Sequence, residues 1–256
     1  IFVEMLSAEG QYDKTGPNPL GRRAEPNVKT AYHRMNRQDY YAISIGDLDF
    51  RRVFQSEATH DAFVTAQINS VYSGASWDEY LAMKNLLSSY DGYATASVAA
   101  IDPGNAGEST KSFVKVVRKV IRDMTFPNSN WNGYTDVQST DIKPIITFSN
   151  RDEQILLIDN ATDVACDVDV LAYSFGRDLL RFNTEVKQIV DSFPIEGMVA
   201  CLVDKNFFQV YDDLFTFREF ENGLGLYRNH ILHVWQTLGY SILCNAVAFV
   251  IGSDAD

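Results

Sequence analysis

Residues 56–93 read SEATHDAFVTAQINSVYSGASWDEYLAMKNLLSSYDGY, and this stretch decides how the rest of the chain is interpreted. Its first part carries apolar side chains at helical spacing: Ala62, Phe63, Ala66, Val71 and Tyr72, with Val64 and Ile68 beside them. Gly74 predicts a break, and Ser76 to Glu79 has the pattern of a capping box that starts a second helix. A second apolar face follows at Tyr80, Met83, Leu87 and Tyr90. Together the two parts would span about 50 Å at 1.5 Å per residue, although an ordinary pair of core helices also fits.

The composition is that of a globular chain with a large core. Of the 256 residues, 46% are hydrophobic, which allows one domain with subdomains or two domains. No apolar run is long enough to span a bilayer, and no signal-peptide pattern opens the chain. Residues 1–8 read as a strand and begin without methionine, so we expect an upstream segment. Three cysteines without disulfide or metal-ligand spacing predict reduced core residues in a cytoplasmic protein: Cys166, Cys201 and Cys244.

The charge is unevenly distributed along the chain. The net charge is −12, which argues against non-specific adhesion of the whole surface to nucleic acid. Residues 11–41 are nevertheless basic, with three acids (Asp13, Glu25, Asp39) against six bases: Lys14, Arg22, Arg23, Lys29, Arg34 and Arg37. The remainder carries 16 basic and 31 acidic residues. A cationic arm on an acidic body could grip an identical neighbour, and a solvated basic loop fits the charge equally well.

The basic stretch reads as a long loop between two strands. It contains Gly16-Pro17-Asn18-Pro19, Gly21 and Pro26, and it has no apolar periodicity until Tyr32. Alternation at Tyr41, Ile43 and Ile45 then predicts a half-buried strand. With residues 1–8 as the outgoing strand, we expect a two-stranded arm that requires a partner surface.

The rest of the chain mixes helices and strands in an order that indicates the α+β class. We predict helices over 109–124 and 168–182, and a helical turn capped by Ser149. We predict strands over 94–101, 145–148, 155–158, 185–190, 198–203, 213–220, 226–238 and 242–251, with a loop over 126–142. Asn222-Gly223 predicts a hairpin turn, because both residues tolerate positive φ. Consecutive long strands near the end of the chain replace the strand–helix alternation of an α/β enzyme.

The sequence contains no catalytic motif. It lacks the nucleophile-elbow, phosphate-loop, dinucleotide-binding and zinc-protease patterns. His230 and His233 would point to opposite faces of a strand, which disfavours metal binding. Asp167 with Asp169, and Asp212 with Asp213, have no readable acid–base partner. The 109–124 helix has a basic face formed by Lys111, Lys115, Arg118, Lys119 and Arg122. This face could contact phosphate, but basic helix faces are usually solvated.

Taken in order, these segments resemble the Hong Kong 97-type major capsid proteins of tailed bacteriophages. Tyr32 to Tyr41 (YHRMNRQDYY) resembles the returning strand of that family's extended loop. Ser70 to Ala75 (SVYSGA), followed by DEY at 78–80 and MK at 83–84, resembles the spine helix of short-tailed, phi-29-like phages. The closing strands are matched by three further segments: LVDKNFF at 202–208, GLY at 225–227, and HVWQT at 233–237 through NAVAF at 245–249.

The resemblance implies an α+β capsid fold and a division of the chain into domains. Residues 1–10, 46–93 and 213–241 would belong to the peripheral domain, which contains the spine helix. Residues 11–45 would form the extended loop lying over a neighbouring subunit, and 94–212 the axial domain. Residues 242–256 would supply the closing strand and the C-terminus. The family's N-terminal arm is not in this chain.

The resemblance also implies what the protein does and what it contacts. It implies a non-enzymatic shell protein without cofactors, assembled in the host bacterial cytoplasm into the virion capsid. Its partners would be copies of itself in pentamers and hexamers, scaffold and portal proteins, and packaged DNA contacted only non-specifically, with no membrane. The expected inter-subunit contacts are the basic residues Arg22, Arg23, Lys29, Arg34 and Arg37. An encapsulin-like shell around a cargo enzyme and a soluble hydrolase remain the alternatives.

Overall fold

A computed structural model describes residues 2–8, 27–46, 57–101, 106–134, 145–173 and 186–252 of the protein. In chain order the strands are β1 (Phe2–Ala8), β2 (Asn27–His33), β3 (Arg37–Gly46), β4 (Ala94–Val98), β5 (Gln154–Asp159), β6 (Val186–Val190), β7 (Met198–Asp204), β8 (Phe208–Asn222), β9 (Tyr227–Tyr240) and β10 (Ala246–Ile251). The helices are α1 (Glu57–Ser89), α2 (Ala106–Asp123) and α3 (Asn160–Tyr173). This mixture confirms the α+β class. Within these ranges no helix is both long and apolar enough to cross a membrane.

The chain divides into two compact units. The first comprises Ile1–Phe2, His33–Leu86 and Gln209–Gly239, and the second comprises Val3–Tyr32, Leu87–Phe208 and Tyr240–Asp256. Strands β1 and β2 form a sheet of their own. The predicted arm, in which residues 1–8 pair with the strand near Tyr41, is wrong, because β1 pairs with β2 and the strand at Tyr41 is β3, which pairs with β9. The predicted loop is also wrong over the part of 11–41 that the structure describes, where β2 begins at Asn27.

The first unit packs a three-stranded sheet, in the order β3-β9-β8, against α1. The core between helix and sheet is small and consists of Val71, Ala75, Leu232 and Val234. Tyr41, Ile43 and Phe217 pack at its edge. Because β-strand side chains alternate in direction, only one face of the sheet contributes to this core.

The helix α1 is continuous, so the predicted break at Gly74 is wrong. A helix-ending glycine needs positive φ, whereas among the described glycines that conformation belongs to Gly197. A Cβ built on Gly74 would lie 3.8 Å from the Tyr41 ring, an ordinary packing distance. Since α1 runs on through Ser76, the pattern at 76–79 does not cap a second helix.

The apolar stripe predicted on α1 is only partly buried. Val71 and Leu87 are buried, as expected, but Tyr72 is 37% exposed and Ala62 and Ala66 are also exposed. Apolar side chains occur around much of the helix, and periodicity alone therefore could not identify the buried face.

The second unit is built on a five-stranded mixed sheet in the order β4-β10-β7-β5-β6. Strand β10 runs parallel to β4 and antiparallel to β7, while β5 runs antiparallel to β7 and parallel to β6. Alternate residues of the central strands enter two separate cores. Leu156, Leu202 and Phe249 face one core, whereas neighbouring residues such as Leu157 and Cys201 enter the other. A sheet covered on both faces has nearly continuous apolar strands, which is the pattern seen in these three.

The predicted helix over 109–124 is confirmed as α2, and its buried face is the predicted one. Five side chains of the predicted stripe are buried: Phe113, Val117, Val120, Ile121 and Met124. Val116 packs at the margin of the same core. Four members of the basic face are exposed, namely Lys111, Lys115, Lys119 and Arg122, and Arg118 is half-buried.

Several predicted boundaries were wrong in the second unit. Residues 145–148 form only an isolated bridge through Thr147, not a strand. The predicted helical turn is present as a short 3-10 helix (Arg151–Glu153), but its N-cap residue is Asn150, and the Ser149 hydroxyl instead donates to Asp204 Oδ2 at 2.6 Å. Helix α3 starts at Asn160 rather than at 168, and the Asp159 carboxylate accepts the backbone N–H of Ala161 at its start. The predicted residues 174–182 of this helix lie outside the described residues. Strand β10 begins at residue 246, later than expected.

The hairpin between β8 and β9 also differs from the prediction. The positive φ falls on Leu226 (52°) and not on Asn222 or Gly223. The Asn222 side chain instead accepts the backbone N–H groups of Leu224 and Gly225, both at 3.1 Å. This side-chain turn is an alternative use of asparagine that its tolerance of positive φ does not reveal.

A charged side chain introduced at the centre of α2 should destabilise the second unit. Val117 is fully buried, so Val117→Asp would bury an unpaired charge. We expect the free energy of unfolding to fall by about 3 kcal/mol or more. Chemical denaturation measures the loss. Ser112→Asp adds the same charge at an exposed position of the same helix and should leave stability within about 0.5 kcal/mol. Equal midpoints for the two variants would contradict the packing of α2.

Four aromatic rings meet at one end of the second core, around Tyr90. The ring of Tyr90 lies 4.7 Å from that of Tyr93, 5.1 Å from Phe207 and 5.0 Å from Tyr240. Burial raises the pKa of both Tyr90 and Tyr93 well above the ordinary value, and for Tyr93 the neighbouring Cys201 adds to the shift. Both phenols are therefore neutral in the folded protein.

Alkaline titration should expose this cluster. A pKa raised by folding contributes stability that is complete below the unfolded value of about 10 and is lost as pH rises above it. We expect Tyr90 and Tyr93 to ionise only together with unfolding, as followed by phenolate absorbance and circular dichroism. Tyr93→Phe should remove one phenol from this late-titrating group. Ionisation of all tyrosines while the fold persists would show that the cluster is accessible to water.

Candidate assembly surface

Strand β3, at the base of the predicted basic arm (residues 11–41), is held by β9. The two strands pair antiparallel from Arg37, opposite Gln236, to Gly46, opposite Tyr227. Asn36 extends the pairing: its side-chain amide donates to the Leu238 carbonyl at 2.7 Å, and its Oδ1 accepts the Leu238 N–H at 2.9 Å. The chain is therefore fixed to β9 from the residue that precedes β3.

Arg37 is the most connected residue at this base. It is 7% exposed, and its guanidinium has four partners within the chain. Nε donates to Asp39 Oδ2 at 2.9 Å, and Nη1 donates to Gln236 Oε1 at 2.6 Å. Nη2 donates to Tyr41 Oη at 2.9 Å and to the backbone carbonyl of Ala75 at 3.1 Å. A buried charge with this many donors satisfied is compatible with a folded core.

Two of these partners extend the network to further elements. The Tyr41 hydroxyl donates to Asp78 Oδ2 on α1 at 2.8 Å. The Gln236 side-chain amide donates to Asp212 Oδ1 on β8 at 2.7 Å. A single hydrogen-bonded network, which we call the Arg37 network, thus connects β3, β9, β8 and the middle of α1.

The protonation states in the network follow from its geometry. Burial raises the pKa of Tyr41, and the hydrogen bond to Asp78 raises it further, although Arg37 opposes the shift. Burial lowers the pKa of Arg37, but the hydrogen bonds and charges of Asp39 and Tyr41 outweigh it and leave the pKa above the ordinary value. At neutral pH a charged guanidinium therefore donates to a neutral phenol, which still has its own proton to donate to Asp78.

The structure separates the five basic residues expected to contact a neighbour. Arg22 and Arg23 lie outside the described residues. Lys29 belongs to β2, and Arg34 is exposed between β2 and β3. Arg37 is buried and bonded within its own chain, a role that its charge alone did not indicate.

The face of the sheet opposite α1 carries exposed aromatic side chains. Tyr40 is 69% exposed and Trp235 is 39% exposed, and the Tyr40 ring lies 6.4 Å from that of His233. This surface was not predicted from the sequence. The adjacent pair Tyr40-Tyr41 was the available signal, because neighbouring residues of a strand point to opposite faces.

Residues considered for chemistry do not converge in the part of the chain that the structure describes. His230 and His233 lie on opposite faces of β9, as predicted: His230 is buried, stacked on Phe217, while His233 lies opposite Tyr40. Asp212 and Asp213 accept hydrogen bonds from Gln236 and Thr237. The side chains of Asp167 and Asp169 are outside the described set. No group of three or more potential metal ligands occurs among the described residues.

Comparison with solved structures defines the class of protein. The capsid structure of Staphylococcus phage Andhra matches with a TM-score of 0.75 at 11% identity, covering 98% of this chain and 80% of that chain. The mature capsid of bacteriophage PhiM1 matches with a TM-score of 0.63 at 8% identity, covering 98% and 82%. The chain therefore has the Hong Kong 97-type phage capsid fold.

Sequence comparison then gives the family. The chain belongs to the phi29-like phage major capsid proteins, whose family model matches residues 1–250. It is 36% identical to the major capsid protein of Bacillus phage PZA over 251 residues, covering 96% of this chain and 54% of that protein. It is also 36% identical to the major capsid protein of Bacillus phage B103, covering 99% and 55%. The chain spans about half the length of these curated relatives. These matches favour neither the encapsulin-like shell nor the hydrolase.

Removing the Arg37 guanidinium should destabilise the first unit. Arg37→Gln would leave the buried Gln236 and the Tyr41 hydroxyl without their strongest partner, at a cost of about 2–4 kcal/mol. Urea denaturation at neutral pH measures the change. Arg34→Gln removes the same charge from an exposed position three residues away and should cost less than about 0.5 kcal/mol. If both variants unfolded at the wild-type midpoint, the network would contribute nothing to stability.

Proposed function

We propose that this chain forms the shell of a tailed-phage head. Copies would assemble as pentamers and hexamers into an icosahedral shell around the double-stranded DNA genome, in the cytoplasm of the host bacterium. The observation that carries this proposal is the family match over residues 1–250. Family membership also suggests scaffold and portal proteins as partners, and it suggests a role that is structural and requires neither catalysis nor a cofactor.

We assign the peripheral domain to residues 1–10, 46–93 and 213–241, the extended loop to 11–45 and the axial domain to 94–212, with 242–256 closing the chain. Three boundaries between the compact units support this division. They fall after Leu86, after Phe208 and after Gly239, each within seven residues of the assigned limits. The assignment differs from the compact units in one respect, since Val3–Tyr32 group with the second unit.

The extended loop would bind a neighbour through its positive charge. Residues 11–41 carry six basic and three acidic residues, whereas the rest of the chain carries 16 basic and 31 acidic residues. The net positive arm of one copy is therefore attracted to the net negative body of a neighbouring copy. Arg22, Arg23, Lys29 and Arg34 would make the contacts. Arg37, which is used within its own chain, would hold the base of the arm in a fixed geometry.

The acidic net charge suits a shell that encloses DNA without binding it tightly. With a net charge of −12, the surface as a whole repels phosphate, so contact with packaged DNA would be non-specific and weak. The exposed lysines Lys111, Lys115 and Lys119 form a local basic face on α2.

Negative-stain microscopy of the full-length protein, expressed with and without its neighbouring scaffold gene, tests the proposal. We expect closed shells of uniform size in at least one condition. A folded monomer under both conditions would overturn the assembly role and revive an enzymatic one.

Charge reversal in the arm should block assembly without unfolding the subunit. The double variant Arg22→Glu, Arg34→Glu would place like charges against an acidic neighbour, and we expect at least about a tenfold loss of particles, equivalent to about 1.4 kcal/mol or more. Sedimentation measures particles and circular dichroism measures folding.

The matched control is Lys115→Glu, Lys119→Glu, which makes the same change in net charge on exposed positions of α2. It should assemble normally. Normal particles from the arm variant, or equal loss in both variants, would contradict a specific role for the arm.

A further inference from the structure

The second unit carries a row of basic side chains along α2. The structure describes the side chains of residues 108–123 of this helix, and the exposed ones include four bases: Lys111, Lys115, Lys119 and Arg122. At 3.6 residues per turn these four lie within about 80° of one another around the helix, and at 1.5 Å per residue they extend over about 16 Å. They form one surface, which we call the α2 basic face.

The charges of this face are available to a partner outside the subunit. Within the described part of the chain, no ion pair or hydrogen bond engages the side chains of Lys115, Lys119 and Arg122. The other side of α2 is buried through Phe113 and Val117, so the helix is held in place while its basic face points to solvent. A rigid row of charges loses little conformational freedom of the backbone when a partner binds.

The composition of the face suits phosphate better than protein. Protein interfaces are enriched in aromatic side chains and depleted of lysine. Three of the four bases here are lysines, and the other exposed side chains between residues 108 and 123 are Glu108 and Ser112. Among these described residues of α2, no large apolar side chain is exposed to anchor a partner protein. The face therefore has charge without the apolar centre that a protein partner needs.

The two sides of the sheet in the second unit differ in exposed charge. Helix α2 packs on one face of the sheet, in the core that contains Leu156 and Phe249. The other core lies on the opposite face, and three exposed acids adjoin residues of that core in the sequence: Asp91, Asp191 and Glu196. A phosphate polymer is therefore attracted to the α2 side of this unit and repelled by these acids on the other side.

Lysine charges bind DNA without reading its sequence. The ammonium group is a compact point charge, and contacts to phosphate position a protein on DNA without distinguishing bases. A row of about 16 Å spans roughly five phosphates of one strand, which follow one another every 3.4 Å along the helix axis. Because salt weakens this attraction, DNA can be held at a surface and still be released from it.

We propose that the α2 basic face contacts the phosphate backbone of the packaged DNA, so that the α2 side of the second unit faces the interior of the shell. Each copy then offers one weak, sequence-independent contact on a wall that is otherwise acidic in net charge. This inference rests on the proposed shell function and adds to it the surface that meets the genome.

Lysine accessibility in assembled particles tests the contact. DNA-filled and DNA-free particles of the wild-type protein are treated with formaldehyde and cyanoborohydride, small reagents that methylate amines, and mass spectrometry measures the extent at each lysine. We expect Lys115 and Lys119 to be methylated at least about threefold less in filled particles, because phosphate covers them. Lys205, exposed on the turn between β7 and β8, is the internal reference and should react equally in both. Equal protection at Lys205 would contradict a specific contact.

A second reagent tests the orientation of α2. An amine-reactive group coupled to a protein too large to enter the shell should label Lys115 and Lys119 in broken DNA-free particles but not in intact ones. Labelling of either lysine in intact particles would place α2 on the outer surface and overturn the proposal.

Charge removal tests the energy of the contact. Broken DNA-free shells of Lys115→Gln, Lys119→Gln are titrated with a short DNA duplex at several salt concentrations. Loss of two phosphate contacts should lower the slope of log K against log salt by about 1–2, equally for duplexes of different sequence.

The matched control is Arg151→Gln, Lys205→Gln, which removes the same charge from exposed positions outside α2. Its slope should change by less than about 0.5. Circular dichroism verifies that both variants fold. Equal changes in the two variants would show that net charge alone governs binding and would overturn the assignment to α2.

The outcomes separate this proposal from the shell function on which it rests. Absence of particles from wild-type chains overturns the shell function. Particles that form and fill with DNA, while Lys115 and Lys119 react equally with and without it, overturn the DNA contact alone.

Discussion

The first unit depends on a buried arginine that uses four of its five N–H donors within the chain. A guanidinium at 7% exposure is tolerated only when its charge and its N–H groups are satisfied, and here four partners do so. These partners come from the strand that carries Arg37, from β9 and from the middle of α1. The hydrogen bonds of Arg37 thereby supplement the small apolar core between helix and sheet. Because hydrogen bonds are directional, they restrict the relative position of strand and helix more than apolar contacts do.

The second unit is stabilised differently. Its central strands contribute alternate side chains to two apolar cores, and α2 covers one of them with a continuous apolar face. Burial is non-directional, and close packing of the buried side chains makes this unit a rigid framework. The contrast fits the proposed roles, in which a framework keeps its shape while the arm and its base must point in one direction to reach a neighbour.

Particular elements show which sequence patterns were informative. Helix α2 was predicted with its buried face, because a polar and an apolar face alternate cleanly along it. The class and the family resemblance were also predicted, from many weak matches in the correct order. Gly74, by contrast, was interpreted as a helix end although α1 continues through it, and Asn222 was assigned positive φ although its side chain forms the turn. In both cases a local preference was compatible with two structures, and the residue type alone did not distinguish between them.

The sequence by itself determined the class, the apolar segments of the second core, and the location of the basic charge, since these follow from composition and periodicity along the chain. The tertiary structure decided which charges are free and which are used. Arg34 and Arg37 lie three residues apart and look equivalent in sequence, yet one is exposed and the other is bound to β9 and α1. It also decided which aromatic residues of α1 are exposed and which side chains fill a core. Those distinctions depend on contacts between residues far apart in the chain. Whether a side chain is buried is decided by the elements that pack against it, and a single segment of sequence does not contain that information.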